Sequence, residues 1–357
     1  MSYPILTGAV LIEANGAALN NAGLDQGSRV ENAVTVKQIR IGRLRYPYVS
    51  GQAWRRWWRE VLYADFGWTP SEVIREAKAA YTKGDPINYE EDDLFGYMAA
   101  RKRKKGKKTS DESEEAPAGG GAGTQRRISP LKNSLLISVL PNVITSDFGH
   151  LSRNLPPGSD IVPFESEHYT TFLQGTFTIS LNDVGRFEVG EMRDLSEEAI
   201  DNNTSLEGDK DNDRVYWLPK PDRIKRVRDV LLALSKLRGG AHLARNLSDV
   251  SPVVVLIGFL DGGNAPFQRL FQPDENYERV NLNLERLGSV LKNYSDRLLK
   301  VKNSKSIFFG YTPTILANEE EVLESFKKEP LFKDLIEVAG TPRESLEKAA
   351  RLIELVL

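Results

Sequence analysis

The chain is predicted to fold as an α+β protein, and three features of its 357 residues support this prediction. An amphipathic helix follows Ser50 directly after a strand-like segment. A continuous apolar run, Pro252–Leu260, has the length and the β-branched content of a buried strand. The elements around these two follow the order strand, helix, strand, strand, helix, strand, which is the order of a ferredoxin-like or RNA-recognition-motif fold.

The first half of this order begins with a strand over Ile5–Ile12. The next segment, Val34–Tyr46, alternates only locally and its phase slips twice, which favours a hairpin or a bulged strand. The Ser50 hydroxyl can accept a hydrogen bond from the first turn of the helix, so Ser50 is a suitable N-cap. The apolar residues of the helix repeat at helical spacing and are expected to be buried together: Trp54, Trp57, Trp58, Val61 and Leu62.

The second half contains strands at Leu135–Leu140 and Phe172–Leu181, a helix at Pro221–Leu237 and the buried apolar strand. A proline suits the first turn of that helix, and Gly239–Gly240 predicts its C-cap. The remaining predicted elements are a helix over Ser71–Tyr81, a protruding loop or irregular hairpin over Ser146–Tyr169, helices near Glu285–Lys300 and Glu344–Leu355, and a strand at Ser306–Tyr311.

The composition excludes several classes of protein. A content of 40% hydrophobic and 27% charged residues is typical of a soluble globular protein. No apolar run approaches the roughly 20 residues that span a bilayer, and the first residues lack the basic region of a secretory signal. The absence of cysteine excludes disulfides, thiolate metal sites and cysteine nucleophiles within the chain. We therefore expect a cytoplasmic protein without contact to a membrane.

The sequence gives little indication of an enzyme. Its three histidines, His150, His168 and His242, have no metal-binding spacing to one another. No hydrolase, Walker, zinc-protease or dinucleotide-binding motif is present. The prediction is therefore no catalytic residue, no metal and no cofactor.

Positive charge is concentrated around the start of the Ser50 helix. Between Arg29 and Glu60 there are eight basic residues and two acidic ones, whereas the whole chain has a net charge of −2. The free amides and the positive dipole end of a helix bind phosphate, and arginines beside them strengthen such a site. This pattern predicts a site for a polyanion. The alternative is an ordinary solvated helix face above a tryptophan core.

A second basic run lies in a low-complexity segment. Arg101–Lys108 (RKRKKGKK) precedes an acidic run and a glycine-rich stretch that ends near residue 125. This composition cannot bury enough apolar surface to fold, so the segment is expected to be a flexible surface loop. Transient contact with nucleic acid is the alternative.

Three blocks of the sequence resemble one known family. They are YPYVSGQAWRRWW (Tyr46–Trp58), QRRISPLKNSLLISVLPN (Gln125–Asn142) and ALSKLRGGAHLARNLSDVSPVVVLI (Ala233–Ile257). Together with the NNAG loop at Asn20–Gly23 they resemble the backbone subunit of type I CRISPR surveillance (Cascade) complexes, the Cas-seven or DevR family. The likeness extends over roughly residues 5 to 260. It includes neither the C-terminal part nor the Asp65–Thr124 insertion.

The resemblance implies a hand-shaped protein with a ferredoxin-like palm, a finger insertion and a protruding thumb hairpin. The expected division is a first part of the palm at 1–64, a finger insertion at 65–134 with a flexible loop at about 101–125, a palm strand at 135–145, a thumb at 146–171, and the rest of the palm with C-terminal elements at 172–357. The basic, glycine, aromatic signature of RNA-recognition motifs is absent, so the sheet is not expected to stack bases on its face.

The resemblance also implies a function. Copies of the family's proteins stack as a helical filament along one guide RNA (crRNA), and each thumb displaces a base at regular intervals. The implied partners are crRNA, target DNA through the guide, further copies of the chain, and the other Cascade subunits, namely the RAMP cap subunit, the large subunit and the small subunit.

A subunit that holds any guide sequence should contact phosphate and sugar and leave the base edges exposed. The residues expected to bind RNA are Asn20, Asn21, Lys37, Arg40, Arg45, Ser50, Gly51, Gln52, Arg55, Arg56, Arg126, Arg127, Lys132, Gly239, Gly240, His242 and Arg245. The residues expected to wedge between bases in the thumb are Phe148, Leu151 and Leu155, although packing within the hairpin explains the same residues.

Two other functions stay open from the sequence. Relatives in type III complexes cleave target RNA with a thumb-loop aspartate, and Asp147 or Asp160 could occupy that position. A stand-alone RNA-binding regulatory protein is the other alternative.

Overall fold

A computed structural model describes residues 2–24, 32–76, 79–100, 124–151, 154–156 and 158–357. The expected flexible loop at about 101–125 lies almost entirely outside these residues. None of the described helices is long and apolar enough to cross a membrane.

The described strands are β1 (Pro4–Ala17), β2 (Asn21–Leu24), β3 (Ala33–Val36), β4 (Gln38–Ile41), β5 (Leu44–Val49), β6 (Val73–Glu76), β7 (Ala79–Thr82), β8 (Tyr97–Ala100), β9 (Thr124–Arg127), β10 (Leu131–Asn133), β11 (Leu136–Ser138), β12 (Ile144–Leu151), β13 (Val162–Ser180), β14 (Arg186–Glu188), β15 (Glu207–Gly208), β16 (Val215–Trp217), β17 (Pro252–Asp261), β18 (Phe271–Pro273), β19 (Val280–Leu282), β20 (Ile307–Tyr311) and β21 (Ile336–Gly340). The described α-helices are α1 (Gly51–Phe66), α2 (Glu90–Leu94), α3 (Glu197–Asp201), α4 (Lys220–Leu234), α5 (Leu284–Asn293), α6 (Glu319–Lys328), α7 (Pro330–Leu335) and α8 (Pro342–Val356).

One large mixed sheet organises these elements, with the strand order β21-β20-β17-β1-β13-β11-β5-β4. Strand β1 lies at its centre and pairs antiparallel with both β13 and β17. The only parallel pair on this path is β20 with β21. The 14 residues of β1 are almost all buried because strands cover both of its edges and packed elements cover both of its faces.

The two faces of the sheet carry different cores. Leu6, Val10 and Ile12 of β1 belong to the core that contains α1, α4 and α8. Ile5, Ala9 and Leu11 point to the other face, where they pack with residues of α5, α6, α7, β18 and β19. The alternation of side chains along β1 therefore divides the molecule into a helical layer and a C-terminal layer.

Helix α1 begins as the sequence predicts. Ser50 is its N-cap, and all five residues of the predicted apolar stripe are buried. The indole Nε1 of Trp58 donates to the Val230 carbonyl at 2.8 Å, and that of Trp68 donates to Asp229 at 2.9 Å. These hydrogen bonds satisfy buried indoles and fix α1 against α4.

The predicted strands and hairpin of the first half are confirmed. The locally alternating segment forms β3, β4 and β5, and β4 pairs with β5 in a tight hairpin. Gly42 adopts a φ of 61° at its turn, a conformation that glycine adopts without steric cost.

The segment Ser146–Tyr169, predicted as a protruding loop or irregular hairpin, forms most of a regular hairpin. It belongs to β12 and the first half of β13, which pair from Ile144↔Tyr169 to Leu151↔Val162.

Two predictions about helices are wrong. The segment Ser71–Tyr81 forms the β6–β7 hairpin instead of a helix, because the β-branched pair Val73 and Ile74 favours extended structure and finds a partner strand. Helix α4 ends at Leu234 with a right-handed C-cap at Ser235, so Gly239–Gly240 lies beyond the helix and does not cap it.

The insertion between α1 and β10 is anchored by a buried acid. Asp93 has no exposed surface and binds two arginines, Arg127 of β9 and Arg226 of α4, the latter at 2.7 Å. Its carboxylate also accepts from the Gly185 amide at 3.0 Å. Removal of one partner of a buried ion pair strongly destabilises a protein, because it leaves a buried charge uncompensated. The contacts of Asp93 therefore hold the insertion against the helical layer.

Candidate nucleic-acid interface

The N-terminus of α1 has two free amides. The Ser50 hydroxyl accepts from the Ala53 amide at 3.3 Å, and the Ser50 carbonyl accepts from the Trp54 amide at 3.1 Å. The amides of Gly51 and Gln52 have no acceptor among the described residues. They therefore remain available at the positive end of the helix, where an anion binds favourably.

Asn20 joins this helix start to the neighbouring strands. Its side-chain Oδ1 accepts from the Ser50 amide at 2.9 Å. Its main-chain carbonyl accepts from the Lys37 amide at 2.8 Å, and the Lys37 carbonyl accepts from the Tyr48 amide at 2.9 Å. One asparagine thus fixes the position of the capped helix relative to Lys37, which lies between β3 and β4.

Asn21 and the preceding residues join the same place to the segment Gly239–Asn246, called the glycine loop below. The Ala241 amide donates to the Ala18 carbonyl at 3.1 Å. The Asn21 Nδ2 lies 2.8 Å from the His242 Nε2. Five predicted parts therefore meet, although they are far apart in the sequence: Asn20, Asn21, Lys37, the start of α1 and the glycine loop.

Both glycines of the loop are required by packing. A Cβ atom on Gly239 would overlap the indole ring of Trp57. A Cβ atom on Gly240, whose φ is 130°, would lie 2.9 Å from a methyl group of Leu19. The absence of side chains at these positions thus lets the loop pack against α1 and against the segment that follows β1, which is a different reason from close approach of RNA.

The surroundings of His242 favour its neutral form. Burial, and then the positive charge of Arg245, lower its pKa below the ordinary value of 6.5. An amide N–H can only donate, so the Nε2 atom of His242 accepts from Asn21 and the ring proton lies on Nδ1. Protonation of the ring would remove this hydrogen bond.

The β4–β5 hairpin places two arginines on the helical side of the sheet. Arg40 and Arg45 are cross-strand partners, so their side chains lie on the same face of the hairpin. Val49 lies four residues after Arg45 in β5 and is therefore on the same face, and it belongs to the core beneath α1. Both arginines are exposed, and neither has a carboxylate partner among the described residues.

The β12–β13 hairpin contacts the glycine loop through Phe164, which is not among the site residues predicted from the sequence. The guanidinium of Arg245 lies 5.8 Å from the ring centre of Phe164, and that ring packs on Gly149. Phe148 belongs to the next cross-strand pair, so it lies on the opposite face, where 64% of it is exposed. Only the strand register distinguishes these two phenylalanines, and the sequence pattern does not define it.

The structure provides less evidence on the other two residues that were expected to wedge between bases. The side chain of Leu151 lies outside the described residues, and Leu155 is half-buried. Neither has a described contact with the glycine loop. Their role in displacing bases stays a prediction.

Arg55 faces the protein instead of solvent. Its guanidinium donates to the carbonyls of Leu131 (2.8 Å) and Phe95 (2.6 Å), and to the side chains of Asn133 (3.1 Å) and Ser129 (3.0 Å). Burial, and then the nearby charge of Arg59, lower its pKa to about 10. Because its hydrogen bonds are used internally, the structure does not place this side chain at the anion site.

Arg56 has the opposite environment. Its side chain is 75% exposed, and its one ion pair is with Glu60 on the same helix at 2.8 Å. Exposed pairs of this kind contribute little to stability, so the Arg56 guanidinium can exchange Glu60 for a phosphate at low cost.

The expected far wall of the site is not assembled. Arg127 is buried, with its guanidinium bound to Asp93 and to the carbonyls of Arg186 (3.0 Å) and Asp183 (2.7 Å). Lys132 pairs with Thr178, on the face of the sheet opposite to α1. Arg126 is exposed on β9 and has no described contact with the glycine loop or the start of α1. Which arginine of β9 points inward and which points outward depends on the strand register, and the basic run in the sequence does not reveal that register.

No metal site accompanies this interface in the described part of the chain. No group of three or more histidine, aspartate or glutamate side chains there is arranged to hold an ion. Asp147 is exposed on β12 opposite Ser166, and Asp160 is exposed in the loop before β13.

Comparison with solved structures shows where the fold has been seen before. A chain described as "CRISPR RNA-guided surveillance complex, pre-nicking" matches with a TM-score of 0.50 and 10% sequence identity, covering 98% of this chain and 100% of that chain. Another, described as "CRISPR RNA-guided surveillance complex", has a TM-score of 0.47 and 12% identity, covering 97% and 98% of the two chains. At 10% identity, the likeness to the first of these chains concerns the fold alone. A search of curated proteins found no match.

Comparison with family profiles gives the assignment. The profile described as "CRISPR-associated negative auto-regulator DevR/Csa2" matches residues 8–282. This range contains most of the central sheet through β17, and it also contains α1, α4, the glycine loop and the β12–β13 hairpin. The chain therefore belongs to the CRISPR-associated DevR/Csa2 family.

Proposed function

We propose that this protein is a non-catalytic backbone subunit of a type I CRISPR Cascade complex, which polymerises along crRNA and presents guide segments for pairing with target DNA. The observation that carries the proposal is the meeting of the free amides at the start of α1 with Lys37 and the glycine loop. The exposed arginines of the β4–β5 hairpin lie on the same side of the sheet. Family membership and the likeness of the fold to chains of surveillance complexes support it.

The central part of the sheet supports a ferredoxin-like palm. Strands β17, β1, β13 and β11 are neighbours in that order, and α1 and α4 pack together on one face. This order corresponds to 4-1-3-2 when the four strands are numbered along the chain. In the proposal, the insertion at 65–134 is the finger and the hairpin within 146–171 is the thumb.

The covered sheet explains why bases would not stack there. Residues of α5, α6 and α7 pack on the face opposite to α1, so much of the surface that RNA-recognition motifs use is buried. A guide strand would instead run past the helix start, where it meets amides and guanidinium groups.

The chemistry of this place suits recognition without regard to sequence. The amides of Gly51 and Gln52 would bind one phosphate, and Arg56 would add charge and bidentate hydrogen bonds. Lys37, Arg40 and Arg45 would neutralise phosphates on the strand side, and Arg245 on the loop side. Contacts of these kinds go to the backbone of the nucleic acid and contain no base-specific element.

The partners follow from this role. They are crRNA, target DNA through the guide, further copies of the chain, and the cap, large and small subunits of the complex. A subunit with a guide-binding site and a thumb that reaches a neighbouring site forms head-to-tail contacts, and such contacts give open helical assemblies.

A salt titration of RNA binding tests the proposal. Filter binding to several unrelated guide sequences should give similar affinities and a linear fall of log K with log salt, with a slope of about −0.7 for each neutralised phosphate. Arg56→Ala should reduce the magnitude of this slope by about 0.7 for every guide. A slope unchanged in the variant, or a strong preference for one sequence, would refute the assignment.

A second measurement separates the proposal from its enzymatic alternative. The protein assembled with crRNA is incubated with complementary target RNA and magnesium, and the products are resolved by length. The non-catalytic role predicts intact target. Cleavage at regular intervals that is lost in Asp147→Ala or Asp160→Ala would show a type III-like ribonuclease.

A further inference from the structure

A groove lies on the sheet face opposite to α1, apart from the proposed RNA site. Its volume is about 600 Å³, and it lies between the β4–β5 hairpin and the segment Phe267–Arg286. Its floor is formed by residues of β1, β11 and β13, among them Ala9, Ile137 and Thr176, whose side chains lie on this face of the sheet. An extended ligand can lie along this floor.

One wall of the groove is apolar and exposed. It consists of Ile39, Ile41, Leu44 and Tyr46, the hairpin residues that alternate with Arg40 and Arg45. Ile41 is 52% exposed and Leu44 is 39% exposed. Large aliphatic residues that line a concave surface in this way indicate a binding surface for another molecule.

The opposite wall carries two arginines without acidic partners. Neither Arg269 nor Arg286 has a carboxylate partner among the described residues, and none of the described residues that line the groove is acidic. Arg286 donates from Nε to the Gln268 carbonyl at 3.0 Å, which leaves its two terminal nitrogens available. Tyr277, 61% exposed, completes the rim. Each guanidinium could hold a carboxylate bidentately.

We propose that this groove binds an extended acidic peptide segment of a partner protein, with apolar side chains against the hairpin wall and carboxylates on Arg269 and Arg286. This site is additional to the proposed RNA-binding function and does not depend on it. A peptide in extended conformation alternates its side chains between two directions, which fits a groove with one apolar and one cationic wall.

The composition of the groove favours a peptide over a nucleic acid. A nucleic acid carries one charge per nucleotide and is held by rows of cations. The described lining of this groove has two arginines, no lysine and, on one wall, the aliphatic residues Ile39, Ile41 and Leu44. It therefore matches widely spaced carboxylates flanked by aliphatic side chains.

The test uses three fluorescein-labelled probes and fluorescence anisotropy with the full chain. The first is a nine-residue peptide in which isoleucine and valine alternate with glutamate and aspartate. The second is the same peptide with lysine at every acidic position, and the third is a single-stranded twelve-nucleotide oligothymidylate. Two variants are compared with the unchanged chain, Arg269→Gln combined with Arg286→Gln, and Arg56→Ala as the matched control outside the groove.

The proposal predicts that the acidic peptide binds, that the lysine peptide does not, and that the double variant weakens acidic-peptide binding by about tenfold or more. Arg56→Ala should leave peptide binding unchanged, and the double variant should leave guide-RNA binding unchanged. Equal binding of both peptides, no binding of the acidic peptide at millimolar concentration, or an unaffected double variant would each overturn the proposal. Loss of oligothymidylate binding in the double variant alone would identify a nucleic-acid site instead.

Discussion

At the scale of single residues, neighbouring arginines of the same helix have different roles. Arg55 donates four hydrogen bonds to the protein, whereas Arg56 is exposed and has one ion pair on its own helix. The sequence places both on the polar side of α1, but it does not show which of them the insertion covers. The number of internal acceptors, rather than the residue type, decides which arginine is free for a ligand.

This difference predicts opposite phenotypes for two alanine variants. Arg55→Ala leaves buried carbonyls without donors and should lower the free energy of unfolding by about 2–4 kcal/mol. Arg56→Ala should change it by less than about 0.5 kcal/mol and should weaken RNA binding instead. Chemical denaturation and filter binding of both variants check this. Equal destabilisation by the two substitutions would contradict the roles assigned here.

His242 offers a prediction about pH. Because the pKa of His242 is lower in the folded protein than its ordinary value of 6.5, the folded protein resists protonation. The stabilisation that results from this difference is fully present above pH 6.5 and is lost as the pH falls through the lower pKa of the folded state. A titration of the His242 ring followed by NMR should give a midpoint below 6.5. In Arg245→Gln the midpoint should move upwards, because a neighbouring positive charge has been removed. A midpoint above 6.5 in the unchanged chain would refute this environment.

At the scale of elements, the glycine loop and the strap Ala18–Asn21 hold the candidate site together. The strap bonds to Ser50, to Lys37 and to Ala241 and His242, so it fixes three separate segments at one place. These are main-chain and amide contacts between residues distant in the sequence. Their stability depends on the close packing of the loop on α1.

This packing predicts the effect of a single methyl group. Gly239→Ala places a Cβ inside the Trp57 ring, so the loop must move away from α1. We expect a loss of stability of about 1–3 kcal/mol and weaker RNA binding. Gly263→Ala is the matched control, because a Cβ there has open space around it. Thermal unfolding and RNA binding of both variants test the expectation, and a Gly239→Ala variant as stable as the control would contradict it.

The sequence predicts the elements that local periodicity specifies, but not the features that depend on the pairing of distant segments. The capped start of α1, its tryptophan stripe and the buried strand β17 follow from local periodicity, and the structure confirms them. The sequence does not predict the β6–β7 hairpin, because its formation depends on pairing with a partner strand as well as on the local propensity of Val73 and Ile74. The basic run predicts that Arg127 and Lys132 bind RNA, but the strand register directs one into the protein and the other to the opposite face.

At the scale of the whole molecule, the sheet separates two surfaces. The helical side carries the free amides of α1 and the arginines proposed to bind the guide, and the other side carries the groove with Arg269 and Arg286. The C-terminal elements α5, α6 and α7 build that second side and cover the sheet there. A subunit of this construction could hold RNA on one side and a protein segment on the other.

If copies of this chain assemble along the backbone of a guide RNA, the complexes should grow with the RNA. The mass of complexes formed at low ionic strength with unrelated RNAs of increasing length measures this growth. The mass should rise in steps of one subunit of 40.0 kDa as the RNA lengthens, irrespective of sequence. A single copy on every RNA, or no complex at all, would contradict it.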